Sequence, residues 1–267
     1  MPKRTLMAGA LLLAVAGTAQ AEQWEIAFDA YGGGVPLAQG VLRLSNGDGK
    51  RYDARLDTTG ASWFSFISRF RYEAEARGTL TPQKPLPVVF RGERNTRSKR
   101  HVMALRFQDG TVTPQAEPPM MPEKLARVPE AARRGSVDPL SAGIAVIMNA
   151  GGPGACTGTY PVYDGRRRYD VQMRSLGTQV LEPSRRRMAA GPAQACQVTL
   201  RPVAGFDPDK DNPNEFFKRG AERTATLWFM PVQGRTIPIQ AEVETDFGSF
   251  YVHTTGFTVS PQTAARE

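Results

Sequence analysis

The two cysteines are the clearest candidates for covalent chemistry in this sequence. Cys156 and Cys196 are the only cysteines in the chain, and they lack the Cys-x-x-Cys spacing that is typical of redox-active thiols. In an oxidising compartment an isolated pair of cysteines forms a structural disulfide. We therefore predict a Cys156–Cys196 bridge. Because it closes a long loop, it should stabilise the fold by about 3–4 kcal/mol in the chain-entropy model.

Two arginines of the run Arg166-Arg167-Arg168 are candidates for anion binding. Alternate residues of a strand share a face, so Arg166 and Arg168 would lie side by side and clamp a phosphate or a carboxylate. The alternative is the commoner reason for such charge in a strand: the arginines keep an exposed edge from pairing with other chains. The Asp164-Gly165 pair just before them is a tight-turn signal.

The sequence contains no recognisable catalytic, metal or cofactor motif. Its two histidines, His101 and His253, stand in strand-like segments, far from the close spacing that a histidine metal site uses. No Gly-x-Ser-x-Gly elbow is present, and the glycines at 151–154 are not followed by the lysine of a phosphate-binding loop. We predict no catalytic residue, no metal and no cofactor. A hydrolase with a dispersed serine, histidine and aspartate remains an alternative.

The first 21 residues predict export. A basic start at Lys3 and Arg4 precedes an apolar run at 6–16, and Ala19-Gln20-Ala21 fits signal peptidase, so we expect cleavage after Ala21. The apolar run is too short to cross a bilayer comfortably, and no second long apolar run follows. We expect a bacterial periplasmic protein without a membrane span; a secreted eukaryotic protein is the alternative.

The charge balance indicates which partners to expect. The chain has 34 basic and 26 acidic residues, a formal net charge of +8. A basic periplasmic protein can meet phosphate-bearing lipids, lipopolysaccharide or acidic cell-wall polymers, although a merely well-solvated surface is the alternative. No nucleic-acid-reading motif accompanies the charge, so we expect no nucleic acid partner. We expect a monomer or a weak oligomer.

Alternation of apolar and polar residues dominates the chain and predicts strands. The turn signal at 45–49 joins two such runs into a hairpin. The other alternating runs lie at 24–29, 62–77 (one strand, or two with a bend near Ser68), 88–90, 102–107, 169–176, 196–204, 223–230, 236–245 and 249–259. We predict a mainly β fold: a strongly curved antiparallel sheet, a half-barrel or β-spiral, forming a single domain at 22–260 before a flexible tail at 261–267.

One region interrupts the strands. Residues 114–135 are rich in proline and predict a loop with a short helical turn near 123–127. A helix follows at 138–149, where Asp138 can cap the first turn and Pro139 suits the first helical position. Four apolar residues fall on one face of this helix: Leu140, Ile144, Ile147 and Met148. We expect that face to pack on the sheet or plug its open side; a mobile ligand lid is the alternative.

The chain, most strongly from 138 to 240, resembles a family of exported envelope proteins of Gram-negative bacteria whose domain has no known function. The resemblance covers roughly 24–255 and is carried by the motifs Asp138-Pro-Leu-Ser141, Cys156, Val162-Tyr-Asp-Gly-Arg-Arg-Arg-Tyr-Asp170, Cys196, Val203-Ala-Gly205, Leu227-Trp228 and Ile237-Pro238-Ile239. It implies a curved antiparallel sheet similar to lipoprotein-carrier half-barrels or to β-spiral envelope-integrity proteins. The proline-rich insertion at 114–135 departs from the family pattern.

These observations support three hypotheses about function. The first is a non-enzymatic periplasmic protein that supports envelope integrity by binding a lipidic or cell-wall component, because a curved sheet offers a concave apolar face. The second is a module that binds an envelope protein through an exposed strand edge. The third is the dispersed-site hydrolase.

Overall fold

The structure is a computed structural model, which describes residues 22–46, 50–62, 69–82, 84–152, 155–206, 221–245 and 248–261. The predicted signal peptide at 1–21 lies outside these ranges. Of the predicted tail at 261–267, only Pro261 is described, and it ends the last strand.

Thirteen antiparallel strands form one sheet. They are β1 Glu22–Gly32, β2 Val35–Asn46, β3 Arg51–Gly60, β4 Arg71–Leu80, β5 Pro85–Asn95, β6 Arg100–Gln108, β7 Thr111–Glu117, β8 Gly158–Tyr163, β9 Arg168–Leu181, β10 Gly191–Ala204, β11 Arg223–Val232, β12 Arg235–Thr245 and β13 Gly248–Pro261. The spatial order is β7-β6-β5-β4-β3-β2-β1-β13-β12-β11-β10-β9-β8, so the sheet is open between β7 and β8. The predicted mainly β, antiparallel fold is confirmed.

The alternating sequence explains these strands. In β3, Tyr52 and Ala54 are buried while Arg51 and Arg55 are exposed, which places apolar residues on the inner face and charges on the outer face. All five alternating runs predicted after residue 168 coincide with β9 to β13. The run predicted at 62–77 is shorter than expected, because β4 begins only at Arg71; Ser68 lies outside the described residues.

The proline-rich region is more ordered than a loop. The predicted loop at 114–135 begins inside β7, and two short helices follow, α1 Pro122–Ala126 and α2 Glu130–Arg133. Pro114 fits in β7 because β7 is an edge strand, where a missing N–H can face the side without a neighbouring strand. The helical turn predicted near 123–127 is confirmed as α1.

The residues after α2 connect the two edges of the open sheet. On the β7 side, the Gly135 N–H donates to the Gly110 carbonyl oxygen over 2.9 Å. On the β8 side, the Val137 N–H donates to the Pro161 carbonyl oxygen over 2.8 Å, and the Tyr163 N–H donates to the Val137 carbonyl oxygen over 2.9 Å. Backbone groups of both edges therefore find partners in the crossover segment, which makes the sheet barrel-like without closing it.

The predicted helix forms α3, Pro139–Ala150, and it fills the interior of the sheet. Asp138 caps it by accepting a hydrogen bond from the Ser141 N–H over 2.9 Å. Because β3, β4, β5, β8 and β12 surround α3, burial extends well beyond one apolar face. One predicted core residue is wrong: Met148 is 39% exposed. Helix α3 therefore plugs the curved sheet.

The predicted disulfide between Cys156 and Cys196 is confirmed, with the two Cα atoms 5.3 Å apart. Both cysteines are fully buried in a cluster that also contains Ala150, Val146 and Phe229. The bridge thus fastens the residues just after α3 to β10. It braces the junction between the plugging helix and the sheet.

The outer face of β1 to β7 carries a ladder of ion pairs, which we call the outer ladder. Its members carry both signs and form ion pairs within and between neighbouring strands: Glu25, Arg43, Asp53, Arg55, Asp57, Arg71, Glu73, Glu75, Arg77, Arg91, Glu93, Arg100 and Glu117. Arg43 is typical: it reaches Glu25 at 2.9 Å and Asp57 at 3.0 Å. Charge on this face is largely neutralised within the sheet.

Candidate functional site

A cavity of about 550 Å³ lies against the inner face of β4 to β7. The strand register explains why space is left there. Ala74, Gly92, Met103 and Ala116 stand side by side across the four strands, and we call them the floor row. Three of these four side chains are a hydrogen atom or a methyl group, so they leave the interior unfilled at this level.

A second row lies one step closer to the strand ends. Tyr72, Arg94 and His101 are cross-strand neighbours on β4, β5 and β6, two residues along from the floor row, and we call them the mouth row. Two residues of a strand span about 7 Å. The pocket therefore changes from apolar at its floor to polar and basic at its mouth.

The opposite wall of the pocket comes from the crossover and from the turn between β8 and β9. Residues 118–121, Lys124 of α1 and Pro139 at the start of α3 supply one part. The turn supplies Asp164, Arg166 and Arg167. Methionines at 120 and 121 add flexible apolar surface, which adapts to ligands of irregular shape.

The turn is held in place by its own aspartate. The Asp164 carboxylate accepts hydrogen bonds from the backbone N–H groups of Arg166 at 2.8 Å and Arg167 at 2.6 Å. Gly165 has a φ of +93°, and a Cβ there would overlap the Met103 side chain of the floor row. Only glycine therefore lets the turn approach the floor this closely.

The cations of the pocket differ from those of the outer ladder. Among the described residues, no carboxylate lies within ion-pair distance of Arg94, Lys124 or Arg166. The acids of the lining are otherwise engaged, since Glu117 contacts Arg100 at 3.0 Å and Asp164 accepts from the backbone of its turn. The pocket thus presents more positive than negative charge, and the Asp164 carboxylate offsets only part of it.

The electrostatics of the mouth agree with this arrangement. Burial and the nearby Arg94, Lys99 and Arg166 lower the pKa of His101, because a further positive charge is unfavourable there. Burial raises the pKa of Tyr72 to about 12, and the charge of Asp164 contributes to the same direction. Both side chains are therefore neutral at pH 7, and the permanent cations of the pocket are arginine and lysine.

The structure separates the two arginines proposed for anion binding. Arg166 lies in the turn and lines the pocket. Arg168 begins β9, is only 12% exposed, contacts Asp170 at 2.7 Å and donates to the Ala132 carbonyl oxygen. The two do not share a strand face, because the backbone from Asp164 to Arg167 turns instead of extending. Arg167 takes the place beside Arg166 at the pocket and also lies over the Phe206 ring.

A buried polar chain stands next to the pocket at the start of α3. The Ser141 hydroxyl donates to the Asp138 carboxylate at 2.5 Å, and Tyr52 and Ser141 share a hydrogen bond of 2.5 Å. All three side chains are almost completely buried. Burial raises the pKa of Asp138 to about 6. This serine and this carboxylate are sealed from solvent, so their contact is structural.

The two histidines occupy different environments. His101 is in the mouth row, whereas His253 is buried on β13 and stacks on Tyr251 with ring centroids 5.7 Å apart. Burial and the nearby Arg187 and Arg186 lower the pKa of His253. Within the described ranges, no group of three or more histidines, cysteines or carboxylates is arranged to hold a metal ion.

A second, smaller cavity of about 140 Å³ lies between the centre of the sheet and α3. Its lining contains no charged residue: Ile26, Phe28, Leu42, Leu56, Leu140, Pro238, Gln240, Ala241, Val252 and Thr254. The larger cavity is therefore the one that combines apolar surface with charge.

Sequence reasoning missed most of the pocket. Arg94 and Lys124 had no distinguishing motif, and Met103 and Ala116 appeared to be ordinary strand residues. Their proximity depends on strand register, which a single sequence does not display. The available signal was the Asp164-Gly165 pair, which indicated a turn rather than a strand immediately before the arginines.

The chain belongs to a family of β proteins without a known function. Residues 25–255 match the family described as "Protein of unknown function (DUF3108)". Among curated proteins, no sequence matches this chain. A solved structure, described as a beta-barrel-like protein of domain of unknown function DUF1849 from Brucella abortus, is similar with 10% sequence identity and a TM-score of 0.49. That similarity covers 90% of this chain and 98% of the other.

Within the residues that the structure describes, no helix combines the length and the apolar character needed to span a bilayer.

Proposed function

We propose that the protein is a non-enzymatic periplasmic binding protein that supports cell-envelope integrity, and that a lipidic molecule occupies the pocket of β4 to β7. The observation that carries this proposal is the cavity of about 550 Å³ with Phe90, Met103 and the methionines at 120 and 121 in its lining. Ligand pockets are usually about 300–1,000 Å³ in volume and mostly apolar, with a few placed polar groups.

The compartment is part of the proposal. The apolar run and cleavage motif of residues 1–21 support export, and the Cys156–Cys196 disulfide supports an oxidising environment. Cell fractionation with an antibody against the protein tests this: we expect a shortened chain that begins at Glu22 in the periplasmic fraction. An uncleaved chain in the cytoplasm would contradict the location.

Native mass spectrometry of protein purified from its own cells tests the ligand. We expect a mass increase that disappears after extraction with organic solvent, and an apolar molecule in the extract. Protein that carries no adduct and also fails to take up a fluorescent fatty-acid analogue would refute the proposal.

A pocket-filling substitution gives a matched comparison. Ala116→Trp places an indole on the floor row and should reduce uptake of the analogue at least about tenfold, because it occupies the space of the ligand. Gln115→Trp, at the next position of β7 and exposed, serves as the control and should bind normally. Equal binding by the two variants would place the ligand elsewhere.

The envelope role has its own experiment. Deleting the gene should make the cells more sensitive to detergents, and the wild-type protein should restore resistance. Ala116→Trp should fail to restore it, whereas Gln115→Trp should succeed. If both variants restore resistance, the role in the envelope does not depend on this pocket.

The two alternative functions have less support. A strand-edge interaction needs a free edge, and the crossover covers part of both β7 and β8. A hydrolase needs a nucleophile, but the described lining of the larger pocket includes no serine, threonine or cysteine, and the Asp138–Ser141 contact is buried.

A further inference from the structure

We infer that the ligand is a single-chain amphiphile with a phosphate-bearing head group, which Arg94, Lys124 and Arg166 hold at the mouth of the pocket. This inference rests on the proposed function and names the class of molecule that the same pocket takes. Three observations support it: the cations lack ion-pair partners, the pocket is apolar at its floor and basic at its mouth, and its volume suits one chain.

The three cations come from β5, from α1 and from the turn before β9, and none of them forms an ion pair with a described carboxylate. The charge of Asp164 acts on Arg166 through space, but its oxygens accept hydrogen bonds from the backbone of the turn. Bringing three positive side chains to one cavity is unfavourable unless an anion joins them. A phosphate monoester carries about −1.5 to −2 charges at pH 7 and offers three acceptor oxygens, so it matches three cations better than a single carboxylate does.

The geometry of the donors also suits phosphate. Arginine can form two parallel hydrogen bonds to a phosphate, and lysine acts as a point charge beside it. Arg166 is exposed on a turn that Asp164 fixes through two backbone hydrogen bonds, so the backbone that carries this side chain is already positioned. A fixed turn reduces the entropy lost when the head group binds.

The layering of the pocket indicates an amphiphile rather than free phosphate. The cation Arg94 lies in the mouth row, and the floor row about 7 Å further along the strands is apolar. A free anion would leave the surfaces of Met103 and Met121 in contact with water. A chain attached to the anion would cover them, at about 25 cal/mol for each Å² of apolar surface removed from water.

The volume suits one chain. A cavity of about 550 Å³ lies within the usual range of about 300–1,000 Å³ for a site that takes one small ligand. One medium acyl chain with a phosphate head is a ligand of that class. The smaller cavity near the centre of the sheet lacks charged residues and offers no site for the head group.

Isothermal titration calorimetry with three probes, below the critical micelle concentration, tests the inference. Two of the probes each lack one part of the third. Lauroyl lysophosphatidic acid has the chain and the phosphate, monolauroyl glycerol has the chain alone, and glycerol 3-phosphate has the phosphate alone. We expect the first to bind at least about tenfold more tightly than either of the others, because charge-assisted hydrogen bonds and chain burial act together.

Variants assign the head group to its residues. The triple variant Arg94→Gln, Lys124→Gln, Arg166→Gln should lose at least about tenfold in affinity for lysophosphatidic acid while its affinity for monolauroyl glycerol stays the same. The control Arg43→Gln, Arg55→Gln, Arg77→Gln removes the same charge from the outer ladder and should bind as the wild type does. Arg166→Gln alone, on an exposed turn, repeats the test should the triple variant fold poorly.

Each outcome decides a different claim. Equal affinity for the phosphate-bearing and neutral lipids overturns the phosphate head group and leaves the proposed function intact. Equal affinity for glycerol 3-phosphate and the lipid overturns the amphiphile and assigns the site to free phosphate. Failure of both chain-bearing probes to bind overturns the proposed function together with the inference, and an equal loss in the outer-ladder control overturns the assignment to the three pocket cations.

Discussion

The two walls of the interior differ in how they are filled. Against β8 to β11, the second half of α3 packs with the disulfide in a cluster of apolar side chains, and Arg168 at the start of β9 contacts Asp170 and the Ala132 carbonyl oxygen. Against β4 to β7, a cavity of about 550 Å³ remains, and Arg94 and Arg166 line it without a carboxylate partner among the described residues. We call these the sealed wall and the pocket wall.

The difference follows from where the plugging helix begins. A helix of 12 residues is about 18 Å long, shorter than the strands around it, so it cannot fill the whole interior. Its first residue, Pro139, lines the pocket, and beyond that point only side chains fill the space. On the pocket wall, Gly92 and Ala116 fill little of it. An arginine is structural where the fold supplies a partner for it, and it is free to bind a ligand where the fold supplies none.

The largest loss of stability should come from removing the disulfide of the sealed wall. Replacing Cys156 and Cys196 together with serine should lower the free energy of unfolding by about 3–4 kcal/mol, because the unfolded chain regains the entropy of a long loop. Urea denaturation measures this loss. Ligand binding should persist under conditions in which the variant is fully folded. Unchanged stability would show that the bridge is not a brace; loss of binding in a still-folded variant would show that the two walls are coupled.

Asp138 stands between the walls and should make stability fall as pH rises. Its carboxyl has a pKa of about 6 in the folded protein, above the ordinary 3.8, so the folded state holds the proton more tightly than the unfolded state does. The stabilisation is complete below about pH 4 and is lost as pH rises through 6. The loss amounts to about 3 kcal/mol from a shift of this size.

Asp138→Asn should remove most of that pH dependence, because asparagine mimics the protonated acid and can still cap α3. Urea denaturation at pH 4 and at pH 7 measures the difference between the variant and the wild type. Parallel stability curves for the two proteins across this range would contradict the buried, protonated aspartate. The Ser141→Ala variant, which retains the carboxyl, is the control and should keep the pH dependence.

A smaller loss of stability should distinguish the turn at Gly165 from the turn at Gly177. Gly165→Ala and Gly177→Ala both place a side chain at positive φ, +93° and +78°, which costs about 1–2 kcal/mol. Only at Gly165 would the new methyl group overlap Met103, since nothing lies within 4 Å of a Cβ at Gly177. Gly165→Ala should therefore lose up to about 1 kcal/mol more than its control, because the flexible Met103 side chain has to move. Equal losses by chemical denaturation would mean that the turn does not press on the pocket wall.

The smallest effect belongs to the outer ladder. The side chain of Glu93 accepts hydrogen bonds from Arg100 and Asn95, and with the nearby Arg91 these hold its pKa near 2. Its contribution is present above about pH 4.5 and is lost as pH falls toward 2, the opposite direction to Asp138. Glu93→Gln should lower the free energy of unfolding by under about 1 kcal/mol at pH 7. This loss should disappear in high salt, because the ion pair lies at the surface. A loss that survives high salt would show that the ladder is more than surface charge.

The sequence predicted the parts of the molecule that depend on local pattern. The alternation in β9 to β13, the cap at Asp138 and the single disulfide each follow from residues whose meaning does not require knowing what lies opposite. The exposure of Met148 was not predicted, because helical spacing shows which residues share a face but not where the surrounding strands leave that face uncovered.

The pocket could not be predicted in the same way. Arg94 meets Tyr72 and His101 only through the register of three strands, and Lys124 reaches the same cavity from a helix within a proline-rich crossover. The alternation of a strand predicts that Arg166 and Arg168, rather than Arg166 and Arg167, bind the anion together. That prediction is wrong because the backbone turns at Asp164-Gly165 instead of continuing as a strand. Such sites depend on residues distant in sequence, which is why a local pattern cannot reveal them.

The pairing of β1 with β13 sets the order in which the chain can fold. Glu22 stands opposite Pro261, so the centre of the sheet is complete only when β1 and β13 have met. Contacts between residues so far apart in sequence fold slowly, because a long loop must close before any pairing energy is gained. Until β13 is in place, one edge of β1 is unpaired and exposes backbone N–H and C=O groups. Joining β1 to β13 is therefore the step that protects the centre of the sheet from pairing with another chain.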